Sequence, residues 1–241
     1  MFKFFHEIFG KKNLLQESLE ESWKMLQSDK AMFEASVRSL RKQDTSKVDI
    51  DIYTADKEIN KLERDVRKKV LTHLAVSSST DLSIGLTLVS IIGDIERIGD
   101  YTKNIYELAT IHPKRLVAGK WENDLVNIEN KVLERLGTLL DALKESDTDL
   151  GLEIIVDLTK VKDKCDEYIM LLIKGEGESF KASEAVPLAL YLRYLKRVAG
   201  HIQNVASSLV NPFHRLKYQD RHIKLIDEKP SEERSDETKA E

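Results

Sequence analysis

The segment IERIGDYTKNI, residues 95–105, has a counterpart in LKRVAGHIQNV, residues 195–205, which lies 100 residues further along the chain. Apolar residues stand at the same three offsets in both segments. Two polar pairs also match, Arg97 with Arg197 and Asn104 with Asn204. A period of 100 residues is too long for one unit of a solenoid. The match therefore indicates a duplicated unit that is itself a small bundle.

Apolar residues recur every three or four positions over most of the chain, which is typical of amphipathic helices. Polar breaks or prolines interrupt this pattern and divide it into six long helices. We place these helices at about 13–42, 47–77, 81–111, 121–144, 150–174 and 182–210. Thr80 is the expected N-cap of the third helix, and Trp23 and Cys165 are expected in the core. The sequence thus predicts an all-α protein of two tandem three-helix bundles, residues 13–112 and 118–213, related by internal duplication.

The two ends of the chain differ in composition from the bundles. Residues 1–12 place Phe2, Phe5 and Phe9 near one helical face beside several lysines, which predicts an amphipathic segment. It either anchors the protein at an anionic membrane or packs on the bundle, and we favour packing. Residues 227–241 are highly charged with almost no apolar side chains, which predicts a disordered tail.

Composition excludes several classes of protein. The chain has 241 residues, a net charge of −4 and one cysteine. The charge provides no general attraction for nucleic acid, and a single cysteine cannot form an internal disulfide. No apolar run reaches the roughly 18 residues of a membrane span. We therefore expect a cytoplasmic protein that does not bind nucleic acid, with peripheral association at the inner face of the membrane as an open alternative.

Carboxylates form two rows on neighbouring predicted helices. At about 100° per residue, Glu96, Asp100 and Asn104 share one face of the third helix, nearly opposite its apolar stripe. Asp56, Asn60 and Glu63 form a similar row on the second helix. A short connection makes these helices antiparallel neighbours, so the rows can face each other across a groove. Paired acidic rows hold metal ions in other helical bundles, which makes both rows candidate ligands.

A solvated face is the alternative interpretation of these rows. Charged residues make up 33% of the chain, and carboxylates four residues apart are ordinary on exposed helices. Arg97, Lys103 and Lys57 are available as simple ion-pair partners. An enzyme is disfavoured because the chain lacks a Walker motif, a nucleophile elbow and a Gly-rich dinucleotide turn.

The segments DIERIGDYTKNIYELA and ADKEINKLERDV resemble the PhoU family of phosphate-signalling regulators. The family motif reads roughly Glu-Arg-Ile-Gly-Asp followed by Asn-Ile-Ala-Glu. The resemblance extends over about residues 15–215. It implies two tandem three-helix bundles and no catalysis. It also implies restraint of phosphate uptake and starvation signalling through contact with the transporter ATPase subunit and a sensor histidine kinase. A sodium–phosphate cotransporter is the alternative partner, and a homodimer is a further expectation.

The same resemblance implies a metal site in the first half of the chain. PhoU proteins bind iron or zinc clusters through acidic motifs, which Glu96 and Asp100 match here, with Asp56 and Glu63 on the partner helix. In the second half, Lys196 and Gly200 stand where the acids are expected. A charged lysine cannot ligate a metal. We therefore expect no metal cluster in the second half. The competing hypothesis is a helical interaction module without any metal.

Overall fold

The computed structural model describes residues 13–42, 48–76, 79–112, 114–176 and 179–217. Within these ranges the regular elements are six long α-helices and three short 3₁₀ turns. The helices are α1 Leu14–Arg41, α2 Ile52–Val76, α3 Leu82–Ile111, α4 Glu122–Glu145, α5 Thr148–Lys174 and α6 Ala182–Val210. The predicted N-terminal segment 1–12 and tail 227–241 lie outside the described residues.

Local sequence signals account for most helix ends. Asn13 caps α1 by accepting a hydrogen bond from the amide of Gln16 at 2.9 Å, and Asp147 caps α5 in the same way. Gly175 ends α5 at φ +67°, a conformation that favours glycine. The prediction for Thr80 is wrong. A 3₁₀ turn over Ser79–Asp81 leads into α3, and Asp81 takes the N-cap position without a side-chain cap bond.

Each set of three helices forms a bundle, as predicted. Helices α1, α2 and α3 pack on one another, and so do α4, α5 and α6. The two bundles also pack together, through α3 against α6 and α1 against α4, so that their cores form one apolar cluster. No helix in the described part of the chain is long and apolar enough to cross a membrane.

Two expectations about core residues have different outcomes. Cys165 is fully buried, as predicted. Trp23 is not a core residue, because 37% of it is exposed. Its indole instead lies at the seam between the bundles, where Nε1 donates a hydrogen bond to the carbonyl of Leu140 at 3.3 Å. A tryptophan at such a seam can bury its ring edge while its N–H finds a partner.

A buried arginine joins the two bundles near the end of α1. The Arg41 guanidinium forms ion pairs with Glu129 and Glu122, each at 2.6 Å, and donates to the carbonyl of Leu116. Burial favours loss of the Glu129 charge and raises the pKa of that carboxyl despite the arginine. The hydroxyl of Tyr191 donates to the same carboxylate at 2.9 Å. Residues from α1, α4 and α6 thus meet in one buried polar cluster.

Candidate functional site

The two predicted acidic rows do face each other, across a groove between α2 and α3. The ammonium of Lys103 on α3 donates to Asp56 on α2 at 2.9 Å and to Asp100 at 3.2 Å. The amide of Asn60 lies 3.4 Å from the second Asp56 oxygen. We call this set the acidic groove, and its members are Asp56, Asn60, Glu63, Glu96 and Asp100, with Asp29 beneath them.

Asp29 is a member of the site that sequence reasoning missed. It projects from α1 and is fully buried, and neither carboxylate oxygen has a hydrogen-bond partner among the described residues. Gly99 makes room for it, since a Cβ at that position would lie 2.8 Å from Asp29 Oδ1. Burial raises the pKa of Asp29 well above its usual value, and the nearby carboxylates, Glu96 first, raise it further.

Glu96 is the most perturbed carboxylate at the mouth of the groove. Burial is the main cause that raises its pKa to about 7, and repulsion from Asp100 and Glu63 adds to the effect. Arg97 opposes the shift only in part. A glutamate in this state binds a proton near neutral pH and gains from any cation that replaces it.

Basic side chains neutralise part of the acidic groove, as the ion-pair interpretation predicted for two of its three residues. Lys103 bridges Asp56 and Asp100, and Arg97 lies 3.2 Å from Asp100. Arg67, four residues after Glu63, pairs with it at 2.8 Å. Five carboxylates, counting Asp29, thus share three cations. Asp29 and Glu96 are the two carboxylates that these ion pairs neutralise least.

The donor chemistry of the acidic groove suits a cation, but the described conformation is not a preformed metal site. No group of three or more His, Cys, Asp or Glu side chains is arranged to hold a metal within the described residues. The Lys103 ammonium occupies the space between Asp56 and Asp100. Carboxylate and amide oxygens are nevertheless the ligands of hard cations. A metal would therefore have to displace the Lys103 ammonium. The carboxylate of Asp29, which has no hydrogen-bond partner among the described residues, lies beneath the groove.

In the second repeat, the groove between α5 and α6 corresponds to the acidic groove, but it is lined mainly by cations. Gly200 leaves space in the groove there, since a Cβ at that position would lie 4.0 Å from Cδ of Lys162 on α5. Gln203 and Asn204 complete the floor of a cavity of ≈ 450 Å³. We call it the basic groove, and its charged lining is Lys162, Arg193, Lys196, Arg197, His201 and Lys217.

The two repeats are joined where their motif helices cross. Tyr101 and His201 occupy equivalent positions and stack with ring centroids 5.6 Å apart. Asp94, almost fully buried, accepts from His201 Nδ1 and Asn204 Nδ2, each at 2.8 Å, and pairs with Lys217 at 2.7 Å. Burial alone would raise the pKa of Asp94, but these partners outweigh burial and lower it. His201 on α6 is therefore an interhelix residue that connects the second repeat to α3 of the first.

His73 forms a contact within the first bundle. Its Nε2 lies 2.7 Å from a carboxylate oxygen of Asp81, which links the end of α2 to the turn before α3.

Comparison with known proteins decides the family. The PhoU domain model matches residues 23–109 and again residues 125–209, one match in each bundle. The chain belongs to the PhoU family. Two curated relatives are phosphate-specific transport system accessory protein PhoU homologs. One, from Clostridium acetobutylicum, is 26% identical over an alignment of 216 residues that covers 83% of this chain and 94% of the relative. The other, from Synechocystis, is 25% identical over 191 residues, 78% and 80% of the two chains.

Solved PhoU structures have the same fold. PhoU from Pseudomonas aeruginosa superposes with a TM-score of 0.66 at 20% identity, over 81% of this chain and 95% of that one. The phosphate transport system regulatory protein PhoU from Streptococcus pneumoniae gives 0.62 at 20% identity, over 87% and 95%. The tandem bundles of this PhoU-family chain are therefore an architecture that solved relatives share.

Proposed function

We propose that this protein regulates phosphate uptake and phosphate-starvation signalling through direct contact with a phosphate transporter and a sensor histidine kinase. The observation that carries the proposal is the presence of both PhoU repeats, packed as one unit. Curated relatives that match 83% and 78% of the chain are named accessory proteins of phosphate-specific transport. Such a regulator acts from the cytoplasm on the ATPase subunit of the transporter, without catalysis of its own.

We further propose that the acidic groove binds a metal cation, iron or zinc in the first instance. Asp56, Asn60, Glu63, Glu96 and Asp100 would hold it, and the displaced Lys103 would turn outward. Five carboxyl groups around three cations leave Asp29 and Glu96 without a full ion-pair partner, and a metal would compensate both. The metal would supply a fixed positive charge on the bundle surface, to which an acidic partner segment can bind.

The alternative is a metal-free interaction module, with a sodium–phosphate cotransporter as the partner. The bridge that Lys103 forms between Asp56 and Asp100 favours it, because this bridge already neutralises two of the proposed ligands. Homodimer formation is compatible with both functions and stays a prediction.

Deletion of the gene in its native host tests the regulatory function. We expect the deletion to raise the uptake of radiolabelled phosphate in phosphate-rich medium and to switch on starvation genes. The wild type should reverse both effects, and so should the control Glu58→Gln/Glu107→Gln, which removes two exposed carboxylates from α2 and α3. The groove variant Glu96→Gln/Asp100→Asn should not.

Two results would count against these proposals separately. Unchanged uptake and unchanged gene expression after deletion would contradict phosphate regulation altogether. Full restoration by the groove variant would contradict the role of the acidic groove and leave the metal-free module as the better account.

A further inference from the structure

We propose that the basic groove of the second repeat is a binding site for a small anion that carries two or more phosphoryl groups. Three of its cations, Lys162, Arg193 and Arg197, form no ion pair with a carboxylate within the described residues. All three line the same cavity. Convergent unpaired cations in a cavity are the arrangement by which proteins recognise phosphate oxygens.

Lys162 is the clearest example of a cation in the basic groove that has no ion-pair partner within the described residues. It is half-buried, and its ammonium donates to the neutral Oε1 of Gln203 at 2.6 Å. Burial lowers the pKa of Lys162, and repulsion by Lys196 adds to this although Asp163 and Asp166 oppose it. A phosphate placed beside this ammonium would compensate both effects.

The arginines of α6 provide the geometry for oxyanion recognition. Arg193 is exposed at the rim and has no hydrogen bond or ion pair within the described residues. Arg197 is held by Tyr101, since its Nε donates to the tyrosine hydroxyl at 3.0 Å and its guanidinium lies 5.4 Å from the ring centroid. Its two terminal nitrogens form no hydrogen bond within the described residues. A guanidinium fork binds phosphate in a bidentate manner, which a lysine cannot do.

The carboxylates around the groove are too few to neutralise it. Asp166 pairs with Lys196 at 2.5 Å. The buried Asp94 is already in contact with both His201 and Lys217. Asp163 acts on Lys162 only through space. Five Lys and Arg side chains therefore face three carboxylates. The net positive charge and a cavity of ≈ 450 Å³, within the usual range of small-molecule sites, fit a di- or triphosphate better than a single phosphate ion.

Pyrophosphate is the first probe, titrated calorimetrically into the full chain in metal-free buffer. We expect saturable binding that Lys162→Met/Arg193→Gln weakens by about tenfold or more, as the loss of charge-assisted contacts requires. The control Lys57→Met/Arg64→Gln removes the same charge from exposed positions of α2 and should alter the affinity by less than about twofold. Equal weakening by both variants, or no heat up to about 10 mM pyrophosphate, would overturn the proposal.

Gly200 offers a second and sharper pair of variants. Its Cβ position is open, with the nearest atom, Lys162 Cδ, at 4.0 Å, so both Asp and Asn fit there. Gly200→Asp restores the acid of the first repeat and should abolish pyrophosphate binding, whereas the isosteric Gly200→Asn should retain it. Equal binding by the two variants would contradict a site at this cavity.

A parallel binding assay distinguishes a soluble phosphoryl compound from a lipid headgroup as the ligand. Vesicles of phosphatidylglycerol and vesicles of phosphatidylcholine are compared with soluble pyrophosphate and orthophosphate. Binding of pyrophosphate in solution supports the proposal. Binding to phosphatidylglycerol vesicles alone would overturn the small-anion site in favour of a lipid headgroup. Neither result depends on the acidic groove, so this test and that of the proposed function fail independently.

Discussion

Glu96 and Lys196 occupy equivalent positions of the two repeats, and each lies near a carboxylate on the neighbouring helix. Glu96 is repelled by Glu63, while Lys196 is paired with Asp166 at 2.5 Å. One duplicated scaffold thus carries a groove with excess negative charge and a groove with excess positive charge. The duplication conserved the apolar stripe that packs the bundles and left the groove positions free to diverge in charge.

Asp29 should make stability depend on pH. Its pKa is raised in the folded protein, so its destabilising effect is absent below the unfolded value of about 3.9 and grows as the pH rises toward the folded value. Asp29→Asn should therefore increase the free energy of unfolding at pH 8, by about 1–3 kcal/mol, and leave it nearly unchanged near pH 4. Urea unfolding with a metal chelator present measures this. A benefit of equal size at both pH values would contradict a buried, ionisable Asp29.

Gly99 should not tolerate a side chain. Its Cβ would lie 2.8 Å from Asp29 Oδ1 and 3.2 Å from Ile59 Cδ1, so Gly99→Ala should cost about 1–3 kcal/mol through overpacking. The control is Gly200→Ala, whose Cβ would make only an ordinary contact with Lys162 Cδ at 4.0 Å and which should be neutral or stabilising by up to about 1 kcal/mol. Thermal unfolding of both variants gives the comparison. Equal melting temperatures would mean that the tight contact with Asp29 does not exist.

Asp94 should stabilise the packing of the two repeats above its own titration range. Its pKa is lowered when folded, so its contribution is present above the unfolded value of about 3.9 and is lost as the pH falls through the folded value. Asp94→Asn should cost about 1–3 kcal/mol at pH 7 and much less near pH 3. Denaturant unfolding at both pH values tests this, with the exposed Asp141→Asn as the control. A cost independent of pH would contradict it.

Arg41 should be the most costly single residue to remove at the junction of the bundles. Arg41→Ala leaves Glu129 buried without its ion-pair partner, which should cost about 3–5 kcal/mol. The double variant Arg41→Met/Glu129→Leu removes both charges and should recover most of that loss. Chemical denaturation of the single and double variants gives the coupling between the two residues. If the double variant is no better than Arg41→Ala, the penalty has another source.

Periodicity alone predicted the six helices, because each carries a continuous apolar stripe and has few internal breakers. The facing of the two acidic rows also followed from spacing, since helices joined by a short connection pack as antiparallel neighbours. Spacing did not show that Lys103 would bridge Asp56 and Asp100. A long lysine side chain can reach several partners, and its choice depends on the groove around it.

Asp29 was missed because the carboxylates that surround it lie on helices far along the chain. A signal was nevertheless present in α1. Ser22, Asp29 and Ser36 are spaced by seven residues and lie on the same buried face as the apolar stripe. A carboxylate on a core face requires a partner or a function. The contacts of Asp94 with His201 and Asn204 had no such signal, because they depend on how the two repeats pack across each other.

The metal content of the full chain is the most direct test of the acidic groove. Elemental analysis after exposure to iron or zinc and gel filtration should find metal in the wild type, and more tightly held metal in Lys103→Met, which lacks the competing ammonium. Glu96→Gln/Asp100→Asn should lose the metal, while the control Glu58→Gln/Glu107→Gln should keep it. An empty wild type together with an empty Lys103→Met would contradict the metal site and leave the acidic groove as an ion-paired surface.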